Sequence, residues 1–381
     1  MVKRVLVTGA TKIGEAGLSN IVFEWGQHFD DTELTYDFLI RNGPPARFYF
    51  DKIIKKGGRV LSMPENSPKN IINSLKWTLK AINDNKYDTI HINASDALVS
   101  AYYVFIAKKS GISHIYVHSH SSELDIRNPI KRRARSILHR LCRPYIKKNA
   151  ELCLACSNLA ADWMYGKSET YKYKYCMISN GVKCQKYFFD EKTRIVYKRE
   201  LGLDNKKVIG NIGRLSYQKN QEFLVDIFSE IVRHEKNIVL MIAGSGEDEP
   251  KLKEKVKQLD LEKNVMFMGQ RDDIPQLLWV MDVLVMPSRF EGLPITLIEA
   301  QMASLPCFVS DNVTKEAKIT DNVNYVGTTD VHIWCDLICE ALRKERDITD
   351  TEILLNNKFN IENATRELQS ILMGKMKANK K

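Results

Sequence analysis

Ser288-Arg289-Phe290-Glu291-Gly292-Leu293-Pro294-Ile295-Thr296-Leu297-Ile298-Glu299-Ala300 carries the clearest fold signal in the chain. The strand-like run Val283-Leu284-Val285-Met286 precedes it, and Pro287-Ser288 ends that run. Pro294 stands where a first helical turn should begin, a position that tolerates a missing N–H. The segment therefore reads strand, loop, helix. Glu291 falls in the loop at the helix mouth, and Glu299 falls about one and a half turns into the helix. Free backbone N–H groups at such a mouth suit a phosphate. A carboxylate beside that phosphate must serve something else, such as sugar hydroxyls. Two glutamates at this spacing are common by chance, so the specific signal is E-G-L-P leading into E-A.

The stretch resembles the E-x7-E motif of the retaining, nucleotide-sugar-dependent glycosyltransferases of family four, which have the GT-B fold. Other segments match in order. Gly210-Asn211-Ile212-Gly213-Arg214-Leu215-Ser216-Tyr217-Gln218-Lys219-Asn220 is similar to that family's strand followed by G-R-x4-K. Met241-Ile242-Ala243-Gly244-Ser245-Gly246 is similar to its A-G-x-G turn, and Val265-Met266-Phe267-Met268-Gly269 to its next strand. Ile178-Ser179-Asn180-Gly181-Val182 is similar to the I-x-N-G-V that leads into the second domain. The resemblance covers nearly the whole chain and is closest to the branch that builds capsular and exocellular polysaccharides.

Composition agrees. The 381 residues are too many for one ordinary core, so two domains are expected. Hydrophobic residues at 44% and charged residues at 27% are globular values. Eight cysteines in this length are no disulfide scaffold and suggest a reducing compartment. Cys153 and Cys156 lie in Leu152-Cys153-Leu154-Ala155-Cys156, which reads as a buried strand, and no second pair stands at zinc-site spacing. Cys335 and Cys339, one helical turn apart, read as core. No secretory apolar stretch follows Met1-Val2-Lys3-Arg4, and the run around Ala97 to Ala107 is too short to span a bilayer. The expectation is a cytoplasmic protein that can attach to the inner face of the cell membrane.

Strand and helix patterns alternate. Val5–Val7, Phe38–Ile40, Arg59–Leu61, Thr89–Ile92, His114–His118 and Leu152–Ala155 read as strands in the first half, with a helix over Gly14–Phe29. Val208–Ile212, a helix over Glu222–His234 and Ile238–Ile242 repeat the plan. This α/β repetition implies parallel, doubly wound sheets. The expected organisation is GT-B: a Rossmann-like acceptor-side domain over 1–190, a Rossmann-like nucleotide-sugar domain over 191–358, and 359–381 as a helix crossing back plus a basic tail. The resemblance places a cleft between the two domains.

Arg214 follows a strand end and Lys219 lies in the same loop, so together they can set two cations on a diphosphate. The resemblance implies Glu299 on the ribose hydroxyls, Glu291 on the donor sugar, and the backbone of Gly292, Leu293, Pro294, Ile295 and Thr296 on phosphates and sugar. It adds Gly244 to the donor site, with Gln270 and Arg271 beside the base. Gly14 and Gly17 open the first helix and let a phosphate approach. The segment from Val7 to Gly14 lacks the middle glycine of a dehydrogenase T-G-x3-G-x-G and is not a P-loop. His118 and His120 alternate at a strand end and share a side. The family has a histidine here facing the donor sugar; which of the two corresponds stays open, with His120 further toward the cleft. No metal and no cofactor are expected, since no D-x-D triplet occurs and the nucleotide-sugar is a substrate.

The net charge is +10, and its sharpest run is Lys131-Arg132-Arg133-Ala134-Arg135, continued by Arg140 and Arg143. Apolar residues interleave at helical spacing. A basic amphipathic helix can lie on an anionic membrane, where the resemblance implies a lipid-linked acceptor. The plainer reading is a solvated helix face. Charge alone allows nucleic acid, but no binding motif accompanies it. The implied function is transfer of a sugar from a nucleotide-sugar, a UDP-sugar for preference, to a growing polysaccharide. A non-catalytic partner subunit, or another GT-B enzyme such as an epimerase, is the alternative.

Overall fold

The computed structural model describes residues 2–10, 13, 17–40, 43–63, 71–166 and 175–375. The chain forms two compact units. Unit 1 holds Met1–Leu124, Asn128–Gly181 and Lys358–Lys381; unit 2 holds Asp125–Arg127 and Val182–Asn357.

Unit 1 is built on a 7-stranded sheet in the order β3-β2-β1-β4-β5-β6-β7. The strands are β1 (Lys3–Val7), β2 (Leu34–Ile40), β3 (Val60–Ser62), β4 (Thr89–Ala94), β5 (His114–Ser119), β6 (Leu152–Ala155) and β7 (Tyr175–Met177). Every pairing is parallel. Its helices are α1 (Gly17–His28), α2 (Arg47–Lys55), α3 (Ile71–Asn85), α4 (Ala97–Lys109), α5 (Pro129–Asn149) and α6 (Asn158–Tyr165). Strands β2, β4 and β6 are buried along their whole length, which accounts for their apolar character. A charged group inside this sheet is well partnered. Asp37 on β2, fully buried, accepts from Arg4 at 2.9 Å, the Arg59 N–H at 2.8 Å and the Tyr87 hydroxyl at 2.7 Å.

Unit 2 carries a 6-stranded parallel sheet in the order β10-β9-β8-β11-β12-β13. Its elements are α7 (Glu191–Glu200), β8 (Lys207–Ile212), α8 (Gln221–His234), β9 (Ile238–Ala243), α9 (Glu249–Gln258), β10 (Val265–Gly269), α10 (Ile274–Val280) and β11 (Val283–Met286). There follow α11 (Ile295–Met302), β12 (Cys307–Ser310), β13 (Val323–Val326), α12 (Val331–Leu342) and α13 (Thr351–Leu355). Phe228, Leu240, Val285 and Trp334 lie in one buried cluster beside the sheet. The strand order reverses direction between β8 and β11. In open α/β sheets ligands bind at such a switch point, beyond the carboxyl ends of the strands.

The last helix, α14 (Ile361–Leu372), belongs to unit 1. It packs on α1, the Lys3 ammonium donates to the Leu372 carbonyl at 2.8 Å, and Gln369 accepts the Asp30 N–H at 2.9 Å. Residues 182–190, expected in the first domain, lie in unit 2. Cys153, Cys156, Cys335 and Cys339 are buried.

Candidate functional site

The loops after β8 and β11 meet at the switch point of unit 2. Two hydrogen bonds stitch them, Asn220 to the Pro287 carbonyl at 3.1 Å and the Arg289 N–H to the Gln218 carbonyl at 2.8 Å, and in the strands themselves Asn211 of β8 donates to the Val285 carbonyl of β11 at 2.7 Å. Asn220 takes a left-handed φ of 56°, which lets the loop turn into α8. The turn after β9 lies against the same loop. A Cβ on Gly244 would stand 2.0 Å from the Gly213 carbonyl oxygen, and one on Gly246 would stand 2.1 Å from that of Leu215. Only glycines allow this contact.

Glu291, buried, sits where the two loops join. One carboxylate oxygen accepts from the Lys219 ammonium at 2.7 Å and the other from the Gln218 amide at 3.1 Å. Arg214 stands apart, its side chain 62% exposed, and pairs with Asp125. Asp125 also accepts the Gln218 N–H at 2.9 Å. Pro294 is the residue before α11 rather than the first of its turn, because its backbone is extended, and its side chain makes no cap. Gly292, Leu293 and Pro294 are buried in the loop, with Ile295 and Thr296 half-buried in the first turn. Glu299, further along α11, accepts from the Tyr187 hydroxyl at 2.6 Å. Burial pushes the Glu299 carboxyl above its ordinary range, opposed by that hydroxyl and by Lys186. The buried hydroxyls of Ser216 and Ser288 have no hydrogen-bond partner among the described residues.

Gln270 is exposed. The Arg271 guanidinium is held by Asp273, with bonds of 2.8 and 2.5 Å, and lies 3.3 Å from the Tyr197 hydroxyl. Its charge is thus already matched inside the loop.

In unit 1 the switch point falls between β1 and β4. His118 is fully buried and stacks on Trp25 with ring centroids 5.2 Å apart. Its Nδ1 lies 3.2 Å from Nε2 of His91, whose Nδ1 lies 2.6 Å from the Tyr36 hydroxyl. His120 is only half-buried, and its Nε2 meets the Asn93 side chain at 2.9 Å. Burial drives all three imidazoles far below the usual histidine range, His91 and His120 to about 3. Gly17 begins α1, and Gly14 lies outside the described residues. A separate cavity of about 400 Å³ between α1 and α14, lined by His28, Glu33, Arg366 and Lys375 among others, contains none of the motif residues.

The basic run forms α5. Its outward face shows Ile130, Ile137 and Leu141, exposed by 79%, 53% and 70%. Lys131, Arg133 and Arg140 are exposed beside them. Arg135 and Arg143 turn toward the body instead, Arg135 to Asp96 at 2.9 Å and Arg143 to the Trp163 carbonyl; Arg132 is half-buried. Among the described residues no helix is long and apolar enough to cross a membrane.

Sequence reasoning did not single out Asp125, Tyr187, Gln218 or His91. Gln218 lies within the G-R-x4-K stretch, where its neighbours point to it. Asp125 and Tyr187 reach their partners across 89 and 112 positions, and nothing local marks them.

Residues 193–346 match the family described as Glycosyl transferases group 1. EpsF of Bacillus subtilis (strain 168), named as a glycosyltransferase, is 26% identical over 346 residues, 89% of this chain and 88% of its own. The UDP-Gal:alpha-D-GlcNAc-diphosphoundecaprenol alpha-1,3-galactosyltransferase of Escherichia coli is 34% identical over 142 residues, 36% of this chain and 37% of its own. The crystal structure of Anabaena Alr3699/HepE in complex with UDP and glucose superposes with a TM-score of 0.73 at 17% identity, covering 97% of this chain and 98% of that one. The chain is a glycosyltransferase with the GT-B fold. The family match falls within unit 2, on the segment whose motifs resemble the family-four class.

Proposed function

We propose that the protein transfers a sugar from a nucleotide-sugar, a UDP-sugar for preference, to a growing, lipid-linked polysaccharide acceptor of a capsule or exopolysaccharide, with retention at the anomeric carbon. One observation carries the reading: Lys219 and Glu291, from the loops after β8 and β11, pair at 2.7 Å at the switch point of unit 2. Arg214, Lys219 and the α11 mouth take the diphosphate and stabilise the charge that develops on it as the sugar departs. Glu291, already fixed by Lys219 and Gln218, orients the donor sugar. Glu299 keeps one oxygen for the ribose while Tyr187 holds the other. Gly244, Gly292, Leu293, Pro294, Ile295 and Thr296 line the same donor site. Of the two strand-end histidines, His120 is the one we assign to the sugar, because His118 is enclosed. We leave Arg271 out of base recognition and give that edge to Gln270 and the backbone after Gly269. The galactosyltransferase relative, named for a UDP-Gal donor and a diphosphoundecaprenol acceptor, supports this donor and acceptor class. A panel of UDP- and GDP-sugars, each offered with a polyprenyl-diphosphate saccharide, tests the function. Transfer with retained anomeric configuration is expected; inversion, or no turnover with any donor, would contradict it.

The cationic loop does the leaving-group work in this account, so turnover should persist in excess chelator. Loss of activity on chelation, restored by Mg²⁺ or Mn²⁺, would refute it.

We also propose that α5 rests on the inner membrane leaflet. Its outward stripe of Ile130, Ile137 and Leu141 enters the lipid interface while Lys131, Arg133 and Arg140 meet anionic headgroups. Each such cation contributes about 1 kcal/mol near the surface. Reversing the three to Glu should release the protein from anionic vesicles and leave donor hydrolysis intact. Wild-type protein that ignores anionic vesicles at low salt would show the face to be merely solvated.

A further inference from the structure

Asp125 carries a second consequence for the donor loop. Leu124 and Asn128 belong to unit 1, but the three residues between them belong to unit 2. They are anchored there by Arg127, which donates to Glu222 at 2.8 Å and to Asp248 at 2.6 Å. The anchor delivers Asp125 onto the loop after β8. One of its carboxylate oxygens lies on the Arg214 guanidinium, and the other accepts the Gln218 N–H at 2.9 Å. A guanidinium and a backbone N–H presented side by side are what a phosphate group also takes.

We propose that Asp125 is an affinity-determining residue of the donor site, an internal carboxylate that occupies the place of the donor diphosphate on Arg214 and must be displaced when a nucleoside diphosphate binds. This rests on the reading of Arg214 as a diphosphate ligand. Two anions cannot share that guanidinium without repulsion, so the paired state is closed to the donor. Apparent affinity is then reduced by the fraction of molecules in which the pair is intact.

Calorimetric titration of the full chain with UDP, and in parallel GDP, tests it. Asp125→Asn keeps the side-chain shape and removes the charge, and should bind the preferred nucleotide about five- to tenfold more tightly, a usual size for coupling between sites. Arg127→Ala, which frees the anchor, should shift affinity in the same direction and covers the case in which Asp125→Asn fails to fold. Unchanged or weaker binding in the folded variants would overturn the proposal and leave Asp125 as a residue that merely orients Arg214. Arg214→Ala separates the two levels. If it binds nucleotide like wild type, the donor reading has failed. If it binds more weakly while Asp125→Asn gains nothing, only the present inference has failed.

Discussion

Arg214→Ala is expected to lower sugar transfer by about two to three orders of magnitude, the usual loss when one preorganised group that meets transition-state charge is removed. Its side chain is mostly exposed and pairs only at the rim of the loop, so the melting temperature should hardly move. Lys219→Ala should lower transfer at least as far, but for two reasons. It removes a cation from the diphosphate, and it leaves the buried Glu291 carboxylate without its 2.7 Å partner. Breaking a buried pair from one side costs about 3–5 kcal/mol, so this variant should also melt earlier. Gln218, still donating to Glu291, softens that loss. Steady-state kinetics and thermal melts on the two variants check both parts. Near-normal turnover in both would remove the donor-site assignment.

The second large effect concerns acid. His91, His118 and His120 are held uncharged in unit 1, with folded-state pKa values far below the unfolded value of about 6.5. The unfolded chain therefore binds more protons than the folded one below that pH. Stability from the cluster is fully present above about pH 6.5 and is lost as pH falls from there toward 3. Each histidine can add a slope of about 1.4 kcal/mol per pH unit in that window. Because the three rings touch, the titration belongs to the cluster and not to any one ring. Denaturant melts between pH 7 and 4.5 should show a steep decline. His118→Phe, which can keep the stack on Trp25, should flatten it; an identical slope in that variant would show that other groups carry the acid sensitivity.

Legibility in the sequence followed burial. Ile238–Ala243 and Leu152–Ala155 are buried throughout and read as apolar runs, so both were visible as strands. β7, β12 and β13 were not singled out. They are three or four residues long, too short to establish a period, and β7 follows the polar Lys172-Tyr173-Lys174. The site was legible where one loop supplies several groups, as with Arg214 and Lys219, or where loop and helix adjoin, as with Glu291 and Glu299. It was hidden where a partner arrives from far along the chain. Tyr187 on Glu299 and Asp125 on Arg214 exist only once the fold is made. The same holds for α5: its sequence showed a basic amphipathic pattern, but only the structure showed that Ile137 and Leu141 face outward while Arg135 and Arg143 turn in.

The loops after β8 and β11 are proposed to bind the diphosphate of a nucleotide-sugar through side-chain cations. Calorimetric titration of UDP and GDP into wild-type protein, with chelator present throughout, tests it most directly against the Arg214→Ala and Lys219→Ala variants. Saturable binding of one nucleotide by the wild type, and binding at least tenfold weaker in both variants, is expected. Equal affinity in all three proteins, or no binding of either nucleotide, would contradict it.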